Sequence, residues 1–132
     1  MGDYTKINLK DIEDSAVRFG LSPKLEARFA RGPLGLEESG VSYQRLAPNF
    51  RAPFGHRHER QEEIYVILSG GGRMKLDDDV IDIGPLDAIR VPGETMRAFE
   101  SGSDGLELIA FGAPQAEGPA GDAQLEQDWW DE

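Results

Sequence analysis

The sequence predicts an all-β protein, a sandwich or barrel formed by a single domain. From residue 40 onward, short segments that alternate apolar and polar side chains recur about every 8–12 residues. Glycine, proline or aspartate separates one segment from the next, and the chain has 16 glycines and 8 prolines in 132 residues. A chain of this length can bury a single hydrophobic core.

The first 39 residues are the least regular part of the chain. Ser22-Pro23 is a plausible helix start, because proline is favoured in the first helical turn. Leu25, Ala27 and Phe29 instead alternate with charged or small residues, which is the pattern of a strand. We favour the strand.

From residue 40, the alternation defines a series of strands. These are VSYQRL (41–46), EEIYVILS (62–69), RMKL (73–76), VIDI (80–83), DAIRV (87–91), MRAFE (96–100) and LELIAF (106–111). Turns are predicted at Pro48-Asn49, 70–72, 77–79, Pro92-Gly93 and 101–105, where turn-forming residues cluster. Phe99 and Phe111 are expected in the core.

The C-terminal part changes character after Gly112. Residues 113–124 are small and polar, and they predict a mobile connector. The last eight residues, LEQDWWDE, are acidic but contain Trp129 and Trp130. We expect the indoles to cover an exposed barrel surface; the alternative is an acidic–aromatic peptide that binds a partner.

The formal net charge of −11 is unevenly distributed. Nine of the 25 acidic residues follow Arg97, whereas all 14 basic residues lie within 1–97, so residues 1–97 have a net charge of −2 (14 − 16). Such a chain should repel nucleic acid and anionic membranes. It has no cysteine, no apolar run near the roughly 20 residues that span a bilayer, and no apolar leader. We therefore expect a cytoplasmic protein.

The two histidines form the sharpest chemical signal. His56 and His58 are two residues apart, so on a strand both imidazoles point to one face. Glu62 and Glu63 follow at the start of the strongest predicted strand. If the two segments are neighbouring antiparallel strands, a carboxylate returns beside the imidazoles. Two imidazoles and one carboxylate are a common donor set for a divalent metal.

The spacing of these residues resembles the first motif of the cupin superfamily. The string runs His56-x-His58, four residues, Glu63, six residues, Gly70. The resemblance implies a jelly-roll β-barrel with its site inside, and metal ligands at His56, His58 and Glu63. The implied organisation is an N-terminal extension over residues 1–39, the barrel over 40–112 and an acidic tail over 113–132.

The second cupin motif is incomplete, because its histidine is missing. Anchored on Pro92, that position falls on Arg97; anchored on Gly93, it falls on Met96. We prefer Arg97, which keeps the phase of the following strand. Arginine has no lone pair for a metal. Either the remaining three residues bind a metal weakly while Arg97 binds substrate, or Arg97 pairs with Glu63 or Glu62 and replaces the metal.

The resemblance also implies what such a protein could do. It implies a small polar or anionic metabolite as ligand, with Mn, Fe, Ni or Zn as possible metals, and an isomerase- or dioxygenase-type cupin as a possible enzyme. The alternative is a non-catalytic, metal-free binding module. Arg97, Tyr65 and Arg45 are the candidate substrate-binding residues, although Tyr65 could simply pack and Arg45 could face solvent. Many small cupins form homodimers through N-terminal strands, so we expect a homodimer.

Overall fold

The computed structural model describes residues 3–115 and 121–132, and most of the secondary structure is β-strand. Two short 3₁₀ helices (Leu9–Asp11 and Ser15–Phe19) precede the first strand. The elements that follow are β1 (Leu25–Phe29), α1 (Arg31–Leu34), β2 (Gly40–Leu46), β3 (Phe54–His58), β4 (Glu62–Leu76), β5 (Asp79–Ile83), β6 (Ala88–Val91), β7 (Arg97–Ala113) and β8 (Ala123–Gln127). None of the helices in the described ranges is long and apolar enough to cross a membrane.

The strands form a curled antiparallel sheet of the jelly-roll type, organised around β4 and β7. β7 pairs with β2, β3 and β4, while β4 also pairs with β5 and β6. β1 extends the sheet beyond β2, and β8 extends it beyond β3. The strand predicted over 21–39 is therefore β1, and the acidic turn at 77–79 joins β4 to β5.

The glycine-rich segments at 70–72 and 101–105 are not the turns that the sequence predicts. They lie inside the continuous strands β4 and β7, whose register shifts between Ile67 and Ser69 and between Gly70 and Gly72. Gly70 has φ +73°, and a Cβ there would lie 2.0 Å from the carbonyl oxygen of Gly105. Glycine permits this close approach of two backbones, so the strands bend through bulges rather than end.

Strand alternation determines which side chains form the core. On β7, Leu106, Leu108 and Ala110 point inward and are buried. Phe99 is also buried and packs edge-to-face on Tyr65, with ring centroids 5.0 Å apart. The expectation that Phe111 is a core residue is wrong. It has the opposite phase to Ala110, lies on the outer face and is 45% exposed.

An ion-pair cluster attaches the N-terminal segment to the outer face of the sheet. The carboxylate of Glu26 on β1 accepts hydrogen bonds from Lys10 at 2.7 Å, Arg28 at 2.6 Å and Arg45 at 3.0 Å. Burial raises the pKa of Glu26, but these three cations outweigh burial and lower it to about 2. The pairing of β1 with β2 is thereby reinforced at its outer face.

The C-terminal segment packs against the barrel. β8 pairs with β3. The ring of Trp129 lies against Gly55, where a Cβ would come within 2.6 Å of it. Trp130 is 4% exposed, with the guanidinium groups of Arg51 and Arg73 at 4.5 Å and 5.3 Å from its ring centroid. Both indoles therefore cover barrel surface. Of the connector predicted over 113–124, residues 116–120 lie outside the described residues, while residues 123–124 lie in β8.

Candidate functional site

The two histidines point from β3 into the barrel. β3 lies between β7 and β8, and His56 is in register with Arg97 of β7. Because successive side chains alternate, the imidazoles of His56 and His58 share the inner face, with ring centroids 5.2 Å apart in an edge-to-face arrangement. The His58 side chain is 7% exposed and that of His56 is 24% exposed. His56 is therefore the more accessible of the two.

Glu63 reaches the histidines from a strand that is not their neighbour. Within the described residues β4 pairs with β5, β6 and β7, so β3 and β4 do not meet the condition of being neighbouring strands. The carboxylate instead comes from the opposite wall of the barrel. Its Oε1 lies 3.2 Å from Nε2 of His56 and 3.2 Å from Nε2 of His58. Glu62 has the opposite phase and is exposed.

One ligand atom from each of His56, His58 and Glu63 lies within 4.8 Å of the others. The His56 contact with Glu63 is a hydrogen bond. The His58 contact has ion-pair distance but not hydrogen-bond geometry, and Nε2 of His58 has no hydrogen-bond partner within residues 3–115 and 121–132. The structure therefore places the three predicted metal ligands together. The buried Nε2 of His58 is a nitrogen in this group that makes no hydrogen bond to the described part of the chain.

Arg97 lies in the same cluster and is completely buried. Its Nη1 is 3.3 Å from Oε1 of Glu63, and its Nη2 donates a hydrogen bond of 2.7 Å to the carbonyl oxygen of Pro92. Its Nε has no hydrogen-bond partner in the described part of the chain. The structure thus pairs Arg97 with Glu63, a contact that one of the two expected arrangements includes. Met96 points elsewhere, with its sulfur near Gly55.

Tyr65 adds a hydroxyl to the cluster. It follows Glu63 by two residues on β4, shares its inward face, and donates a short hydrogen bond to Oε1 of Glu63. Its hydroxyl also lies 3.4 Å from Nε2 of His56. Burial and the Glu63 charge raise the pKa of Tyr65 well above its usual value. Tyr65 therefore stays a neutral hydrogen-bond donor at physiological pH.

The two histidines have opposite electrostatic environments. Burial lowers the pKa of His56 below its usual value, and Glu63 only partly compensates. Burial also acts to lower the pKa of His58, but the carboxylates of Glu63 and Asp122 outweigh it, so that pKa is raised. Burial acts to raise the pKa of Glu63, yet His56, His58 and Tyr65 hold it far below its usual range. The site thus combines an ionised carboxylate with a neutral and a readily protonated imidazole.

Sequence reasoning missed Asp122. Its Oδ1 lies 2.8 Å from Nδ1 of His58, 64 positions earlier in the chain. The only available signal was one acidic residue among many in a segment interpreted as a tail. No local pattern indicates that β8 returns beside β3, so this contact could not be found without the structure.

Arg45 lies apart from the cluster. It projects from the outer face of β2, where its Nε donates to Glu26 at 3.0 Å and its Nη2 contacts the carbonyl oxygen of Pro23. Its side chain is 36% exposed. The structure therefore brings together His56, His58, Glu63, Tyr65 and Arg97, and it places Arg45 in the ion-pair cluster at the N-terminal segment.

The fold and the inward-facing polar cluster define a small jelly-roll barrel with a polar site in its interior. A family model described as a cupin domain matches residues 42–111, which is more than half of the chain. The chain therefore belongs to the cupin family.

Solved structures share this fold over nearly the whole chain. A cupin protein from Bacteroides fragilis is 25% identical, with a TM-score of 0.70 over 89% of this chain and 92% of its own. The polyketide cyclase RemF from Streptomyces resistomycificus is 21% identical, with a TM-score of 0.71 over 93% and 84%. Streptomyces PAC13, solved with uridine, is 19% identical, with a TM-score of 0.71 over 96% and 93%.

A curated protein is similar in sequence to part of this chain. Uncharacterized protein MJ1618 from Methanocaldococcus jannaschii is 35% identical over 60 residues. The match covers 45% of this chain, and the chain spans about half the length of that relative (48%).

Proposed function

We propose that this chain binds a small polar or anionic metabolite inside the barrel, at the cluster of His56, His58, Glu63, Tyr65 and Arg97. The observation that carries the proposal is the buried guanidinium of Arg97, whose Nε–H lacks an acceptor among the described residues. An unpaired buried donor costs free energy, so such a group is best explained by a ligand that accepts from it. A guanidinium is well suited to carboxylate and phosphate oxygens.

The solved neighbours support a small-molecule ligand. PAC13 is described as a nucleoside dehydratase and was solved with uridine, and RemF is described as a polyketide cyclase. Both identities are below 25%, so these proteins support the fold and the idea of a barrel ligand, not its identity.

In the form that the geometry favours, the site works without a metal. We expect Arg97 to occupy the position of the missing histidine ligand, and its Nη1 pairs with Oε1 of Glu63 at 3.3 Å. His56 is partly exposed and largely neutral at physiological pH, and because its Nε2 donates to Glu63, Nδ1 is the ring atom that can accept a proton from a ligand. Nε of Arg97 can donate a hydrogen bond to a ligand oxygen, whereas the single O–H of Tyr65 is donated to Glu63 and its oxygen can accept from a ligand.

A second form holds a divalent metal, and the unpaired Nε2 of His58 favours it. His56, His58 and Glu63 fit three ligand positions of Mn, Fe, Ni or Zn, because their donor atoms lie within 4.8 Å of one another. A metal bound there would supply Lewis-acid chemistry, as an isomerase- or dioxygenase-type cupin would require. Arg97 does not fit as a fourth ligand, and its charge opposes a dication.

A binding screen separates the two forms. Tag-free protein would be titrated calorimetrically with nucleosides, sugar acids and small carboxylates, before and after treatment with a chelator. In the metal-free form, Arg97→Ala weakens the best binder at least tenfold, whereas the chelator has no effect. A chelator that abolishes binding would identify the metal form. Arg90→Ala is the matched control, because Arg90 is exposed on β6. Equal weakening by both arginine variants would contradict a role for the buried guanidinium.

Two further expectations remain predictions. Within the described chain β1 pairs with β2 of the same molecule, and a homodimer is expected through the N-terminal segment. Light scattering coupled to size-exclusion chromatography would give the mass in solution. Cytoplasmic location is likewise a prediction, and fractionation of cells that express the chain would check it.

A further inference from the structure

The C-terminal segment contributes a carboxylate to the candidate site. Asp122 lies immediately before β8, and its Oδ1 is 2.8 Å from Nδ1 of His58. A carboxylate can only accept, so Nδ1 of His58 is the donor in this hydrogen bond. The other ring nitrogen, Nε2, then faces the cluster, 3.2 Å from Oε1 of Glu63.

The second oxygen of Asp122 is also held in place. Its Oδ2 accepts hydrogen bonds from the backbone N–H groups of Arg60 at 2.6 Å and Gln61 at 3.2 Å, in the link before β4. The next residue, Ala123, is in register with His58 in the pairing of β3 with β8. Three hydrogen bonds and a strand pairing therefore fix the Asp122 carboxylate relative to the His58 imidazole. A residue that orients another side chain must itself be held in this way.

The nitrogen that Asp122 turns inward lies 3.2 Å from Oε1 of Glu63 but makes no hydrogen bond of good geometry to any described residue. His58 is 6% exposed, and its Nε2 lacks a hydrogen-bond partner among the residues that the structure describes. A buried polar atom without a partner costs free energy, so a partner outside the protein is the simplest explanation. With Nδ1 occupied by Asp122, Nε2 is the ring atom left to meet a ligand hydroxyl or a metal.

We propose that Asp122 is a positioning residue, which keeps a proton on Nδ1 of His58 and directs Nε2 into the cluster. This inference rests on the proposed function, because it names the group that orients one of the residues of that site. Asp122 itself does not touch the ligand. An outer carboxylate on a histidine fixes both ring orientation and tautomer, and its loss typically weakens a metal site about 10–100-fold.

The test is imidazole ¹⁵N NMR of the full, chelator-treated chain at alkaline pH, where the rings are neutral. The chain has two histidines, so the spectrum contains two imidazoles, and His56→Asn assigns them. We expect the Nδ1–H tautomer for His58 in the native chain. Asp122→Ala should shift it to the Nε2–H tautomer that free imidazole side chains prefer. Glu126→Gln, which alters an exposed carboxylate on β8, should leave the tautomer unchanged.

The Nε2–H tautomer in the native chain would overturn the inference without any variant, even if Asp122→Ala fails to fold. An unchanged tautomer in a folded Asp122→Ala chain would overturn it as well. A Zn²⁺ titration in an Arg97→Met background gives a second readout, where adding Asp122→Ala should weaken binding about 10–100-fold. If Arg97→Met binds no Zn²⁺, the metal form of the proposed function fails, while the tautomer still decides the role of Asp122.

Discussion

Replacing Arg97 with methionine should turn a poor metal site into a good one. Nη1 of Arg97 lies 3.3 Å from Oε1 of Glu63. A carboxylate oxygen lies about 2.1 Å from a metal that it binds. The guanidinium would therefore stand within about 5.4 Å of a dication on Glu63, since the two distances add at most to that value.

Coulomb's law sets the magnitude. For charges of one and two at about 5.4 Å with an effective dielectric constant of about 20, the repulsion is about 6 kcal/mol. That energy corresponds to about 10⁴-fold in Kd. Counter-charges and solvent screen part of it, so we expect Arg97→Met to bind Zn²⁺ at least about 100-fold more tightly than the native chain. Methionine is close enough in length to fill the buried space.

The assay is calorimetric titration of tag-free, chelator-treated protein with Zn²⁺ and with Mn²⁺. Arg90→Met, an equal change of charge at an exposed position, is the control for the altered net charge. Thermal melts would verify that both variants are folded. A gain of less than tenfold in folded Arg97→Met, or an equal gain in Arg90→Met, would refute the reasoning that this guanidinium opposes a metal.

Three further outcomes are expected. In an NMR titration of the chelated protein, His56 should titrate below pH 6.5 and His58 above it; two unshifted titrations would contradict the described electrostatics. Gly70→Ala should destabilise the fold by about 2–4 kcal/mol in urea unfolding, because its Cβ meets backbone at positive φ, whereas Gly84→Ala meets nothing within 4 Å and should be nearly neutral. Glu26→Gln should cost about 1 kcal/mol at neutral pH. Since the folded pKa of Glu26 is depressed from 4.5 to about 2, this difference should vanish as pH falls through that range, and a pH-independent difference would argue against the ion pairs.

The predicted features depend on local pattern. Alternation identified β2, β5 and β6 closely, because side-chain phase is a property of the strand itself. The same phase brought His56 and His58 to one face, and the spacing to Gly70 favoured Glu63 over Glu62. The resemblance to cupins then predicts a barrel, and a barrel places the face that carries His56 and His58 inside.

The features that were missed depend on contacts between distant strands. The three glycines at 70–72 indicate a turn when only the sequence is considered. In the structure, the backbone of β7 lies against Gly70, and this contact shows why the chain continues as a bulged strand. β3 lies beside β7 and β8 because strands that are distant in the sequence pair when the sheet closes. The Asp122 contact depends on that pairing. The prediction for Phe111 is wrong because its phase on β7, not its hydrophobicity, determines which face it occupies.

The position of β3 between two later strands has a consequence for synthesis. Its partner Arg97 on β7 and its partner segment β8 are both made well after His56 and His58, and Asp122 follows His58 by 64 positions. While the chain is growing on a ribosome, the histidine strand has neither of its edges covered, and Nδ1 of His58 has no Asp122 to bind. The first-made part of the site therefore waits for β8, and a ribosome stalled before residue 122 would carry the histidines without the Asp122 contact.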